Sequence, residues 1–68
     1  MKYKMRLDLS LDIGFTKLYR IERISTGELG GYIEKESNLD QYGNAWVYGN
    51  AQVYDNAWVS GNAVVGVV

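Results

Sequence analysis

The chain contains no cysteine and no histidine among its 68 residues. The missing cysteines exclude disulfide bonds, and without either residue type the usual structural zinc sites are excluded as well. A chain of this length buries only about 60% of the surface that it exposes when unfolded, so its margin of stability is thin. We therefore expect it to gain stability by association with other subunits.

The same absences remove most catalytic chemistry. Neither a histidine base nor a thiol nucleophile is available, and no serine has a histidine to activate it. Pairs of carboxylates remain, such as Asp8 with Asp12, but at this spacing on an exposed strand they are usually solvated surface. Gly30-Gly31 lacks the lysine and the Ser/Thr of a phosphate-binding loop. We predict that the protein is not an enzyme and that it uses no cofactor or metal.

Long apolar runs are also missing. None approaches the roughly 20 residues that span a bilayer, and the N-terminus lacks the apolar stretch of a signal peptide. We therefore expect a cytoplasmic protein without membrane contact. The net charge of −1 divides into basic residues 1–24 and acidic residues 25–68, which could attract each other or could simply be solvated. Neither half is charged enough to predict nucleic-acid binding.

The N-terminal part shows a period of two. Apolar and polar residues alternate from Tyr3 to Asp12, which predicts a strand with one covered face. Residues 13–16 provide a turn, and residues 17–24 are predicted to form a second, antiparallel strand. Gly30-Gly31 indicates either a sharp turn or a close approach to another segment.

The C-terminal part repeats every six residues, in four hexads covering residues 43–66. Residues two apart on a strand share a face, so the alanine and valine of each hexad are predicted to point inward. The residues between them are predicted to point outward, namely Trp46, Gln52, Trp58 and Val64. The Gly-Asn or Asp-Asn pairs suit corners. This pattern resembles the left-handed parallel β-helix, in which roughly 18 residues make one coil and Val65 would lie over Val47.

We therefore predict an all-β protein forming one structural domain. Residues 1–36 form a hairpin-like part with antiparallel strands, and residues 37–68 form a short left-handed parallel β-helix of about one and a third coils. Repeat folds usually need three or more units and polar caps, so both ends would be unfinished. The apolar C-terminus would be an open strand edge, which predicts a homo-oligomer, most simply a dimer. Its interface residues would be Val64, Val65, Val67 and Val68.

A family resemblance covers residues 17–66. Leu18 to Ile21, the stretch Gly27 to Gly31 and the following hexads resemble small phage and prophage proteins with hexapeptide repeats, often called polymer-forming. This chain has fewer repeats than longer members, and residues 1–16 match nothing in the family. The resemblance implies a fold and a phage origin, not a reaction. The hexads alone also resemble the β-helix of bacterial acyltransferases.

Aromatic residues provide the remaining functional signal. Exposed Trp and Tyr concentrate interface energy with little rotamer entropy to lose, although the same rings could instead pack along the coil. The predicted partner contacts are Trp46, Tyr48, Tyr54 and Trp58, with Lys2, Lys4 and Arg6 as a second candidate surface. The preferred hypothesis is a non-enzymatic phage protein that sterically inhibits a host protein or ribonucleoprotein, like an anti-CRISPR protein. The alternatives are a structural self-assembly protein and a degenerate acyltransferase relative.

Overall fold

The computed structural model describes residues 1–67. This part of the chain contains strands and one short 3-10 helix but no α-helix, so the all-β prediction is confirmed. The strands are β1 (Tyr3–Asp12), β2 (Lys17–Arg23), β3 (Leu29–Ile33), β4 (Trp46–Gly49), β5 (Gln52–Val53) and β6 (Val64–Val67), with the 3-10 helix at Glu36–Asn38.

Strands β1 and β2 form the predicted antiparallel hairpin. Tyr3 pairs with Arg23 at one end and Asp12 with Lys17 at the other. The register shifts between Arg6 and Ser10, and Leu7, which lies in this bulge, is 71% exposed. The alternating apolar face of β1 is therefore covered only in part, because a bulge leaves residues without a cross-strand partner.

Strand β3 connects the hairpin to the hexads. It pairs antiparallel with β2 and parallel with β5, giving the sheet order β1-β2-β3-β5. A Cβ atom added to Gly30 would lie 2.5 Å from the carbonyl oxygen of Val47. One added to Gly31 would lie 2.6 Å from a methyl group of the same valine. The glycine pair therefore marks a close approach between β3 and β4, which only a residue without a side chain permits.

The hexads stack in parallel at the predicted spacing. In the second sheet, β4 pairs with β6 so that Val47 lies opposite Val65. Ile33 likewise pairs with Val53, and Leu39 forms a parallel bridge with Val59. We call residues 29–49 the covered coil and residues 50–67 the open coil. The left-handed β-helix itself remains a prediction, because the observed sheets are one mixed sheet and one two-stranded sheet.

The core is formed by the hairpin and by both coils, and the open coil contributes Ala51, Val53 and Val59. Its fully buried members include Tyr3, Ile21, Ile33, Leu39 and Val47. One prediction about the repeats is wrong, since Trp46, predicted to point outward, is buried at 7% exposure. Ala57 and Ala63, predicted to point inward, are exposed, and residues 1–67 place no strand beyond β5 and β6 on that side.

Two asparagines connect the coils. The buried Asn38 accepts hydrogen bonds at Oδ1 from the backbone N–H groups of Glu34 (3.1 Å) and Lys35 (2.9 Å). Its Nδ2 donates to the carbonyls of Asp55 (3.3 Å) and Ala57 (2.8 Å). At the surface, Nδ2 of Asn44 donates to Oδ1 of Asn62, and the Asn44–Asn62 stacking agrees with the predicted register. Asn38 thus satisfies backbone groups of both coils at once.

Candidate binding surfaces

One end of the stacked coils is closed by the N-terminus. The ammonium group of Lys2 donates to the carbonyls of Ala45 (2.7 Å) and Gly43 (3.3 Å). The hydroxyl of Tyr3 lies 2.5 Å from the carbonyl oxygen of Leu39. Burial of this hydroxyl raises the pKa of Tyr3 to about 12. Lys2, a predicted partner contact, is therefore bound to backbone carbonyls of the covered coil, and we call this surface the capped end.

Arg23 completes the capped end. Its guanidinium carbon lies 4.1 Å from the centroid of the Trp46 ring, in cation–π geometry, and its Nε donates to the Glu28 carboxylate. The indole Nε1 of Trp46 is buried and has no hydrogen-bond partner in residues 1–67. The prediction that Trp46 faces outward fails because the hairpin, a separate part of the sequence, covers its ring. This side chain belongs to the core and is not accessible to a partner.

The predicted basic surface is not formed as a free patch. Arg6 binds the carboxylates of Asp8 (2.7 Å) and Glu22 (2.8 Å). The hydrogen bond from Arg6 lowers the pKa of Asp8. With Lys2 bound to carbonyls and Arg6 bound to carboxylates, Lys4 is the member of this predicted set that stays exposed.

Phe15 and Tyr54, from two distant segments, are in contact at one corner of the open coil, and Trp58 follows Tyr54 by four residues. Tyr54 and Trp58, which flank the Asp55-Asn56 turn, are 36% and 67% exposed. Phe15, in the hairpin turn, packs edge-on against Tyr54 with ring centroids 5.4 Å apart, and is itself 72% exposed. We call these three rings the aromatic corner. Sequence reasoning missed Phe15, because no local pattern indicates that the hairpin turn reaches the hexads.

Glu34 fixes the geometry of the aromatic corner. Its carboxylate accepts hydrogen bonds from the Thr16 hydroxyl (2.7 Å) and from the backbone N–H of Asp55 (2.8 Å). These bonds stabilise the ionised form and lower the pKa of Glu34. Asp55 has a φ of 61°, in the left-handed region that aspartate tolerates at a turn. The hairpin turn and the coil corner are therefore held together by one carboxylate.

The remaining predicted contacts lie along the open coil. Tyr48 is 40% exposed, and its ring lies over Gly66, where a Cβ atom would overlap it. This ring therefore packs on the neighbouring coil. Of the predicted interface valines, Val64 and Val67 are 62% and 56% exposed and Val65 is half-buried. Val68 lies outside the described residues.

A shallow pocket of about 410 Å³ lies beside the capped end, lined by Met1, Lys2, Glu36, Gln41 and Tyr42. Its one cationic side chain, Lys2, already binds backbone carbonyls. The described residues contain no group of metal-ligating side chains. They also contain no helix with the length and apolar character that crossing a bilayer requires.

Comparison of the chain with protein-family models, with curated proteins and with solved structures finds no match. The resemblance to phage hexapeptide-repeat proteins therefore stays a prediction.

Proposed function

We propose that this protein is a non-enzymatic binding protein from a phage or another mobile element. It would act in the bacterial cytoplasm by covering the surface of a host protein or ribonucleoprotein, in the manner of an anti-CRISPR protein. The observation that carries the proposal is the aromatic corner, where Phe15, Tyr54 and Trp58 are exposed on a small body.

The aromatic corner has the properties of a binding anchor. Tryptophan and tyrosine are enriched at interface positions whose truncation costs most of the binding energy. The corner is also held in shape before binding, since Glu34 bonds both Thr16 and Asp55, and a preformed surface loses less entropy on association. The neighbouring carboxylates of Glu34 and Asp55 favour a partner with basic groups, which could pair with them or stack on the rings.

We propose further that the parallel coils are turns of a left-handed β-helix. The support is the period of six in the sequence and the pairing of Val47 with Val65. An experimental structure that traces the hand of the coil tests this directly, and a right-handed path would contradict it.

Affinity purification from the bacterial host tests the binding function. The wild-type chain is expected to capture a specific host macromolecule, which is identified and then titrated as a purified component. Trp58→Ala should weaken this binding at least about tenfold, as expected for an interface anchor. Two controls should bind as the wild type does, namely Tyr42→Ala, which removes an exposed ring at the capped end, and Lys4→Glu, which reverses an exposed charge on β1.

The proposal fails if the wild-type chain recovers only itself from host cells. It also fails if purified Trp58→Ala, shown to melt cooperatively, binds the identified partner as tightly as the wild type.

A structural self-assembly protein is the second candidate function. It is favoured by the exposed apolar residues of the open coil, among them Ala63, Val64 and Val67. Growth of particle size with concentration, without a limiting size, would support it.

A further inference from the structure

The last two hexads expose an alanine position that the earlier hexads bury, although Val53 and Val59 of the open coil stay buried at 5% and 6% exposure. Ala45 and Ala51 are 0% and 2% exposed, whereas Ala57 and Ala63, which occupy the same place in the later hexads, are exposed. Val47 is fully buried, whereas its partner Val65 is half-buried. We call the exposed layer the open end and define it by Ala57, Ala63, Val65 and Val67.

The open end also carries unprotected strand edges. Within residues 1–67, β5 pairs only with β3, and β6 pairs only with β4. An unpaired edge presents N–H and C=O groups that can bind another strand, and natural proteins usually protect such edges with charges, proline or bulges. Residues 56–67 contain neither a charged residue nor a proline. The open end is therefore an apolar, uncharged surface with hydrogen-bonding capacity.

The opposite end cannot accept this surface. There, Lys2 and Tyr3 already bind carbonyls of the covered coil, and Arg23 lies over the ring of Trp46. A head-to-tail stack would have to displace these contacts and remove the charges of Lys2 and Arg23 from water, which costs free energy. The other free edge of the four-stranded sheet is β1, which carries charged residues such as Lys4, Arg6 and Asp8. The uncharged open end of one chain therefore meets the open end of another at the lowest desolvation cost.

We propose that a second copy of this chain covers the open end, in a closed dimer with two-fold symmetry. Such a contact uses the same patch on both chains, so it ends at two and does not propagate. Both surfaces are uncharged, so no like charges oppose each other, and the small side chains of Ala57 and Ala63 permit close approach. This inference goes beyond host binding and separates a closed dimer from a polymer-forming protein.

The size of the molecule sets the expected strength of this contact. The molecule measures 31 × 23 × 22 Å, so even its broadest face covers only about 700 Å² in projection. Stable interfaces usually bury about 800 Å² on each partner. We therefore expect a weak dimer that dissociates on dilution, with a dissociation constant on the order of micromolar.

Sedimentation velocity over a concentration series tests the proposal on the full chain. The wild-type mass should rise from one chain toward two and stop there. Ala63→Glu places a charge on the open end at an exposed position, so it should fold and remain a monomer throughout. Ser25→Glu makes the same charge change at an exposed position in the turn after β2, away from the open end, and it should dimerise as the wild type does.

Three results would overturn the closed dimer. The first is a wild-type chain that stays monomeric at hundreds of micromolar, a concentration well above the expected dissociation constant. That result would mean that a second copy does not cover the open end. The second is a mass that grows beyond two chains. The third is an Ala63→Glu variant that is folded by circular dichroism and dimerises as tightly as the wild type.

Discussion

The covered and open coils carry the same hexad pattern but differ in what lies against them. Trp46 and Trp58 occupy the same hexad position 12 residues apart, yet they are 7% and 67% exposed. The difference comes from Arg23 and the hairpin, which cover one ring and not the other. The period of a repeat thus determines which residues pair, whereas the burial of each copy depends on its neighbour in the stack.

The two ends of the coil stack also differ in how their backbone groups are satisfied. At the capped end, the carbonyls of Leu39 and Ala45 are bound by polar groups from the chain's first residues. Such bonds satisfy backbone groups that a missing neighbouring coil would otherwise bind. The side-chain hydrogen bonds to the open coil among the described residues come from Glu34, Asn38 and Asn44 of the covered coil. No such bonds satisfy its far side within residues 1–67, which is why assembly is expected there.

Replacing Asn38 should have the largest effect, because it removes the buried connection between the coils. Asn38→Leu leaves the N–H groups of Glu34 and Lys35 and the carbonyls of Asp55 and Ala57 without this partner. The Glu34 N–H keeps its bond to the Val53 carbonyl, and the other three groups belong to exposed residues that water can reach. We therefore expect a total loss of about 3 kcal/mol, mainly from replacing the buried amide itself. That is a large part of the stability of so small a chain. Urea unfolding measures the loss.

Asn44→Leu provides the matched control for Asn38→Leu. Asn44 also bridges the coils, through Asn62, but in an exposed position where water can replace the bond. Its replacement should change the free energy of unfolding by no more than about 0.5 kcal/mol. Equal losses for the two variants would show that burial does not distinguish the two bridges.

Val47→Ala and Val65→Ala compare the coils at one pair of facing residues. Val47 is fully buried, so its truncation should cost about 2 kcal/mol, which lowers the melting temperature by roughly 8–16 °C in a domain of this size. Val65 is half-buried in the monomer, and the same change should cost less than half as much. Measuring both at low concentration keeps the proposed dimer from adding to the second value. A larger loss for Val65→Ala would reverse the assignment of covered and open coils.

The parallel stacking could be predicted because it follows from a local period. Valines six residues apart on short strands bring Val65 against Val47 after three sides, and the structure pairs these residues. The hairpin could be predicted for the same reason, since the alternation in β1 and the turn at residues 13–16 are local signals. The glycine pair Gly30-Gly31 indicates that another segment approaches closely, but the sequence does not show that this segment is β4.

The candidate site could be predicted only in part. Tyr54 and Trp58 were identified from their hexad positions, but Phe15 joins them from a segment about 40 residues earlier. Trp46 was misassigned for a related reason, since Arg23 reaches it from the hairpin. A contact between the hairpin and the hexads cannot be predicted from the period of two in one or the period of six in the other. Such contacts are seen only in the folded chain.

Arg23→Ala should have a smaller, mainly local effect at the capped end. Loss of the cation–π contact with Trp46 and of the exposed ion pair with Glu28 should cost about 1 kcal/mol. The sharper measurement is tryptophan fluorescence in a Trp58→Phe background, where Trp46 is the only tryptophan. Removal of the guanidinium that covers the Trp46 ring should move the emission of Trp46 to longer wavelength and raise its quenching by acrylamide. An unchanged spectrum would mean that Arg23 does not shield this ring.

Glu34 gives the smallest expected effect, through the pH dependence of stability. Its pKa is lowered in the folded chain, from an ordinary value of 4.5, mainly by the Thr16 hydroxyl and then by the Asp55 N–H. The folded state therefore gains stability above that ordinary value, and this gain is lost as the pH falls through the lowered pKa. Glu34→Gln should make the free energy of unfolding less dependent on pH in the acid range. Asp8→Asn is the control, since it should leave the aromatic corner intact. In an NMR titration the Asp55 amide should shift with a midpoint below 4.5. A midpoint at or above that value would show that Glu34 does not hold the hairpin turn against the open coil.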